Sequence, residues 1–133
     1  MDLILAPGIL ESVIQSARDA YPKEACGLLV GRDAAGRFVP VKNVATDASQ
    51  YEMDPAELIA SLRDLRQTGE KLLAIFHSHP SGPAEPSKRD IQQAYYPEAA
   101  HLIVSLADPG RPQAVAFRIV DGEVLPVEVR VIV

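Results

Sequence analysis

Apolar positions along the chain change period at definable places, and the changes divide it into elements. Leu3 to Leu5 reads as a short edge strand. From Gly8 to Ala20, Ile9-Leu10, Val13-Ile14 and Ala17 recur at helical spacing, and Tyr21-Pro22 ends the helix because proline disfavours the α conformation at the residue before it. Ala25 to Val30 is a run of small and apolar residues, a strand packed on both faces. Gly31 to Arg37 is turn chemistry, and Phe38 to Val44 supplies the second arm of a hairpin. Asp54-Pro55 is an N-cap followed by proline at the first helical position, and Leu58, Ile59, Leu62 and Leu65 carry the helix on to Gly69.

Lys71 to His79 is again a strand, with the apolar run Leu72 to Phe76 leading into His77. Pro80, Gly82, Pro83 and Pro86 exclude regular structure after it while fixing φ at three positions. Ser87 opens a short helix that runs to about Tyr95 and ends before Pro97. His101 to Leu106, Gln113 to Val120 and Glu123 to Val131 are three more strands, separated by Asp108-Pro109-Gly110 and by the hairpin signal Asp121-Gly122. Strands outnumber helices and the last three follow one another directly, so the expected class is α+β, a mixed, mainly antiparallel β-sheet flanked by helices.

With 133 residues, one domain spanning 1–133 buries about two-thirds of its unfolded surface around a single core. Trp is absent and aromatics make up 5%, so that core is built from Leu, Val, Ile and Ala. Eighteen acidic and thirteen basic residues give a net charge of −5, and no Lys/Arg run exceeds two, which argues against a nucleic-acid surface. The single cysteine, Cys26, makes no intramolecular disulfide and rules out a cysteine-rich zinc ribbon. No signal-peptide pattern or bilayer-length apolar segment is present, and a cytoplasmic protein without membrane contact is expected.

The candidate chemistry is concentrated at residues 77 to 90. His77, His79 and Asp90 are three good zinc ligands within fourteen positions. Residues two apart in a strand share a face, so the two imidazoles can converge on one ion. Three protein ligands with water in the fourth position is a common catalytic arrangement, and metal binding brings the pKa of that water toward neutrality. Such a site benefits from a proton carrier. Glu85 is nearby but sits in a Pro-rich turn, whereas Glu24 stands at the mouth of a buried strand; spacing does not choose between them. Ser87 is suited to donate a hydrogen bond to a developing oxyanion. Ser87-x-x-Asp90 is also a capping-box pattern, which gives both residues a purely structural explanation.

Other residues have bland readings. Cys26, two positions from Glu24, invites a nucleophile hypothesis but reads as a small core residue. His101 reads as a strand-face residue, and Lys88 and Arg89 as solvated helix residues able to greet an acidic partner. Tyr95 and Tyr96 either line a groove or pack.

Glu24 within Lys-Glu-Ala-Cys-Gly-Leu-Leu-Val-Gly, His77-Ser78-His79-Pro80 and Ser87-x-x-Asp90 together resemble the full motif of the JAMM (MPN+) metalloprotease family, with Tyr51-Glu52-Met53-Asp54-Pro55 and the strand His101 to Leu106 extending the likeness. The resemblance implies a cytidine-deaminase-like architecture, one Zn2+ held by His77, His79, Asp90 and a water, Glu24 as acid and base, and Ser87 steadying the tetrahedral intermediate. It also implies cleavage after the C-terminal Gly-Gly of a ubiquitin-like protein. The chain lacks room for the two insertions with which eukaryotic members grip ubiquitin chains. It is more similar to the minimal prokaryotic branch, for which the implied partner is a small sulfur-carrier protein bearing cysteine or another adduct. A homodimer through an exposed edge strand is compatible with the pattern. The alternatives are a non-catalytic MPN scaffold, against which every motif residue is retained, and a RadC-like protein with a DNA-associated role, against which the acidic balance speaks.

Overall fold

The computed structural model describes residues 2–133 and contains β1 (Asp2–Leu5), α1 (Ile9–Ala20), β2 (Cys26–Gly31), β3 (Ala35–Val41), α2 (Pro55–Thr68), β4 (Lys71–His79), α3 (Lys88–Gln92), β5 (Ala100–Ser105), β6 (Gln113–Val120) and β7 (Glu123–Val131). The seven strands close on themselves in the order β1-β3-β2-β4-β5-β6-β7. Pairing is parallel for β1/β3, β1/β7 and β4/β5 and antiparallel for the other neighbours.

Closure refines one expectation and corrects another. The sheet is mixed and mainly antiparallel as expected, with helices packed on it, but it closes on itself, which the sequence pattern does not indicate. β1 is accordingly not an edge: Asp2 to Leu5 pairs in parallel with Glu128 to Val131, and Leu5 also pairs with Ala35. Closing a sheet in this way satisfies backbone groups that an edge strand leaves unpaired.

Two apolar clusters lie on opposite faces of the sheet. Ile9, Val13 and Ala17 of α1 pack with Leu29, Ala74, Phe76, Leu102 and Val104. Leu58, Leu62 and Leu65 of α2 pack with Leu28, Val30 and Ile75. Strand alternation therefore puts Ala74 and Phe76 toward α1, and Ile75, His77 and His79 on the α2 face. A register shift around Leu73 precedes this stretch, where Leu29 pairs with Ala74 but Val30 pairs with Leu72. Gly27 is required by close strand packing, since a Cβ there would lie 2.6 Å from both Phe38 Cε1 and the Val39 carbonyl oxygen.

Local signals are realised at most boundaries. Asp54 caps α2 by accepting from Ala56 N at 2.9 Å and Glu57 N at 3.4 Å, and Gly69 ends it at φ 75°. Asp121 and Gly122 turn β6 into β7 at φ 52° and 79°. The β2/β3 hairpin is tighter than predicted, with β3 starting at Ala35 and ending at Val41. α3 is shorter than predicted, ending at Gln92 with Gln93 as its C-cap.

Candidate active site

Sheet register assembles the site from strands distant in sequence. Cys26 of β2 lies opposite His77 of β4, and the antiparallel ladder continues through Ser78 N donating to Ala25 O at 3.0 Å. One further step places Glu24 opposite His79. Ser78 fixes this junction a second time, because its Oγ accepts from Ala25 N at 2.8 Å in a buried bond. On the other side of β4, Ile103 lies beside His77 and Ser105 beside His79. His77 is consequently fully buried and His79 stands at the rim.

His77 Nε2 and His79 Nε2 are 3.0 Å apart, and Asp90 Oδ2 lies 3.1 Å from the first and 3.3 Å from the second. A tetrahedral zinc with bonds of about 2.0–2.1 Å separates its ligands by about 3.3 Å, so the spacing of these three donors suits a metal ion. The His79 ring is oriented for that role: its Nδ1–H donates to the Pro83 carbonyl at 2.8 Å, which leaves the Nε2 lone pair facing the cluster. Tyr51 stacks on the His77 ring at 4.6 Å and 20°, covering one face. Buried His77 Nδ1 has no partner among the described residues.

Glu24, His77 and His79 offer ligand-type atoms that all lie within 4.8 Å of one another, yet the Glu24 carboxylate makes no hydrogen bond to either ring. That stand-off suits a water-bridged contact. Glu85, the rival base, lies on the groove wall outside this group. Ser87 caps α3: Asp90 N donates to Ser87 Oγ at 3.1 Å and Ser87 N donates to Asp90 Oδ2 at 2.9 Å. Because the Ser87 oxygen accepts in that bond, its own O–H remains available as a donor.

Electrostatics separate the carboxylates. Burial pushes Glu24 up to about 7, with the Asp90 charge adding to this and His79 opposing it. Burial also acts to raise Asp90, but its bonds to His77 and His79 win and hold it far below the usual range. His77 is pushed down by burial. Burial would lower His79 as well, but the bonds to Asp90 and Pro83 raise it on balance.

The cluster opens into a groove of about 700 Å³ walled by Pro22, residues 48–51 and the segment from His79 to Gln93. Asn43, which the sequence pattern did not single out, organises the first wall. Its Nδ2 donates to Glu24 O at 2.9 Å and Gln50 O at 3.3 Å, and its Oδ1 accepts from Ala45 N and Glu52 N. The available signal was a lone amide inside the expected strand Phe38 to Val44. Ser105 was missed likewise; its Oγ donates to Gly82 O at 2.6 Å and anchors the Pro-rich loop.

The remaining candidates fall outside the cluster. Cys26 is buried, bonded to Val41 O and pushed up to about 12 by burial and Glu24, far from a thiolate. His101 is a buried strand-face residue whose Nε2 has no partner among the described residues. Tyr96 packs against the α2 cluster and Tyr95 is exposed, so neither lines the groove. No helix among the described residues is long and apolar enough to cross a membrane.

Comparison with known proteins agrees with this geometry. The family model described as prokaryotic homologs of the JAB domain matches residues 7–120. The CysO-cysteine peptidase of Mycobacterium tuberculosis is 32% identical over 133 residues, covering 98% of this chain and 91% of that protein. A desampylase of Haloferax volcanii is 35% identical over 112 residues, covering 77% of this chain and 80% of that protein. A solved protein structure from Desulfitobacterium hafniense superposes with a TM-score of 0.88 at 36% identity, covering 98% of this chain and 92% of the other. With the family model spanning most of its length, the chain belongs to the prokaryotic JAB family, within the JAMM/MPN+ proteins.

Proposed function

We propose that the chain is a zinc-dependent peptidase that hydrolyses the bond after the C-terminal Gly-Gly of a ubiquitin-like or sulfur-carrier protein, releasing cysteine or another amine adduct. The observation that carries this reading is the triangle of His77 Nε2, His79 Nε2 and Asp90 Oδ2, with edges of 3.0, 3.1 and 3.3 Å and a buried carboxylate facing it. The names of the mycobacterial and haloarchaeal relatives, a CysO-cysteine peptidase and a desampylase, support the substrate class.

His77, His79 and Asp90 are the proposed metal ligands. Zinc bound there would polarise a carbonyl oxygen and make water nucleophilic at neutral pH. Glu24 is the proposed proton carrier: near 7, its carboxyl is poised both to accept a proton from the attacking water and to deliver it to the departing amine. Ser87 offers its free O–H to the oxygen on which negative charge develops. Tyr51, stacked on His77, excludes water from one side of the cluster. The groove between the 48–51 wall and the Pro-rich loop is the proposed seat of the Gly-Gly tail, whose two residues have no side chains to accommodate.

Metal analysis combined with hydrolysis of a carrier-Gly-Gly adduct tests the assignment. Glu24→Gln is expected to retain zinc and lose turnover, while His77→Ala loses both. Normal cleavage by Glu24→Gln would remove Glu24 from its role. A native protein that never binds zinc would remove the enzyme reading altogether.

A further inference from the structure

Arg89 is placed in the groove in a way that capping α3 does not explain. It immediately precedes Asp90, is half-buried, and lines the groove alongside Glu24 and His79. Its positive charge opposes the rise that burial imposes on Glu24 and Tyr51 and adds slightly to the lowering of Asp47. Arg89 thus shares one groove with Glu24 and with the 48–51 wall, and its charge is felt at both. Among the described residues, however, no carboxylate comes within 4 Å of it, and the arginine side chains that make hydrogen bonds are Arg18, Arg32, Arg37, Arg118 and Arg130, not Arg89. Arg37 and Arg130, by contrast, both have carboxylate partners. A partly desolvated guanidinium with five donors and no acceptor is matched to a planar anion that arrives with the ligand.

The chemistry of the proposed reaction identifies that anion. Water oxygen bonds to the glycyl carbonyl carbon, the carbon–nitrogen bond breaks, and the nitrogen departs with the proton that Glu24 returns. The leaving nitrogen must therefore pass beside Glu24. In an adduct with one amino acid that nitrogen is the α-amine, and a free α-carboxylate lies two bonds away, so it enters the same groove that Glu24 and Arg89 line. In a lysine isopeptide the nitrogen ends a four-carbon stem, and the lysine's own carboxyl is tied up in a neutral peptide bond. The two substrate classes thus differ in whether they bring a negative charge next to the reacting bond.

We propose that Arg89 receives the α-carboxylate of the leaving residue, so that this chain prefers carriers capped by a single amino acid to carriers joined to a protein lysine. The inference rests on the carrier-peptidase reading above, and it deepens that reading by naming the group that selects the adduct.

The test uses the zinc-loaded full chain and two adducts of CysO, the carrier in the name of the mycobacterial relative, joined through the carrier's C-terminal carboxyl either to cysteine or to cysteinamide. These differ only in the charge that Arg89 is proposed to bind. Wild type should show kcat/KM about tenfold or more higher for the cysteine adduct, the discrimination expected of a charge-assisted hydrogen bond. Arg89→Gln should bring the ratio to about one by loss on the cysteine adduct, and Arg89→Lys should restore part of it. Equal cleavage of both adducts by wild type overturns the inference while leaving the peptidase reading intact, and does so independently of how any variant folds. Loss on both adducts in the same proportion in Arg89→Gln, with zinc retained, overturns it in favour of a contact with the body of the carrier. Failure of zinc-loaded wild type to cleave either adduct overturns the peptidase reading and the inference with it.

Discussion

Replacing Glu24 with glutamine removes a charge that the folded protein holds at a disadvantage, and the resulting change in stability can be worked out before any substrate is known. Glu24 rises from 4.5 to about 7 on folding, chiefly through burial. At about 1.36 kcal/mol per pKa unit this sets a ceiling near 3.4 kcal/mol, and water reaching the carboxylate from the groove reduces it to the order of 1–2 kcal/mol. Between pH 4.5 and about 7 the folded state binds more protons at this group than the unfolded state, so its contribution falls as pH rises through that window. Above it, Glu24 is ionised in both states and the full penalty is present. Below it, Glu24 is protonated in both states and glutamine is a close match. Metal-free Glu24→Gln should therefore be more stable than metal-free wild type at pH 8, with a urea midpoint higher by about 0.5–1 M, and equal to it at pH 4. Positive charge on His79 attracts Glu24 in the lower part of the window and narrows the difference there. Urea titrations of chelated protein at both pH values decide the matter. A variant that is destabilised at pH 8, or whose offset is the same at pH 4, refutes the claim that burial governs this carboxylate.

Two further predictions follow from the strand junction. Ser78→Ala leaves the buried Ala25 N–H without its 2.8 Å acceptor and should lower stability by about 1–3 kcal/mol in thermal or urea unfolding. Because Ala25 follows Glu24, the same variant should lower kcat more than it lowers zinc content. Cys26→Ala should retain both zinc and turnover, since the thiol is held near 12 and its hydrogen bond goes to Val41 O; loss of turnover with zinc retained would reopen a role for sulfur.

Much of the fold was readable locally. The strand from Lys71 to His79, the Asp54 cap, the Gly69 stop and the Asp121-Gly122 turn each depend on a few neighbouring residues, and each is found where the pattern puts it. Closure of the sheet was not readable. Leu3-Ile4-Leu5 looks the same whether it ends a sheet or joins β3 to β7, because parallel pairing leaves no turn signature in the sequence. Spacing could not separate Glu24 from Glu85 for a related reason. What brings Glu24 to the imidazoles is the register of Cys26 against His77, a property of two strands some fifty positions apart. Tyr95 and Tyr96 diverge because α3 ends at Gln92, three residues sooner than expected, so helical spacing no longer tells which way they face. Arg89 reads in sequence as a solvated helix residue because the groove it lines also needs Pro22, Glu24 and residues 48–51, all distant in the chain.

The placement of the cluster explains why so short a helix and so many prolines surround it. His77 is buried, Glu24 is buried with its charge disfavoured, and Asp90 holds a proton-poor carboxylate against two imidazoles. The bonds between Asp90 and the two imidazoles are favourable, but burial disfavours the charge on Glu24, so the metal-free folded chain carries a local destabilisation at that carboxylate. The supports are correspondingly heavy: β4 lies between β2 and β5 in a closed sheet, Ser78 ties it to Ala25, and Ser105 and Pro83 hold the loop that brings Asp90 back. A ligand that binds only the folded state stabilises it in proportion to its affinity. A metal held by His77, His79 and Asp90 would therefore offset the destabilisation, and it would also draw Glu24 toward its ionised, proton-accepting form. Metal binding and ionisation of the proposed base would thus be two consequences of one electrostatic arrangement, and the stabilising effect of Glu24→Gln should shrink when zinc is added.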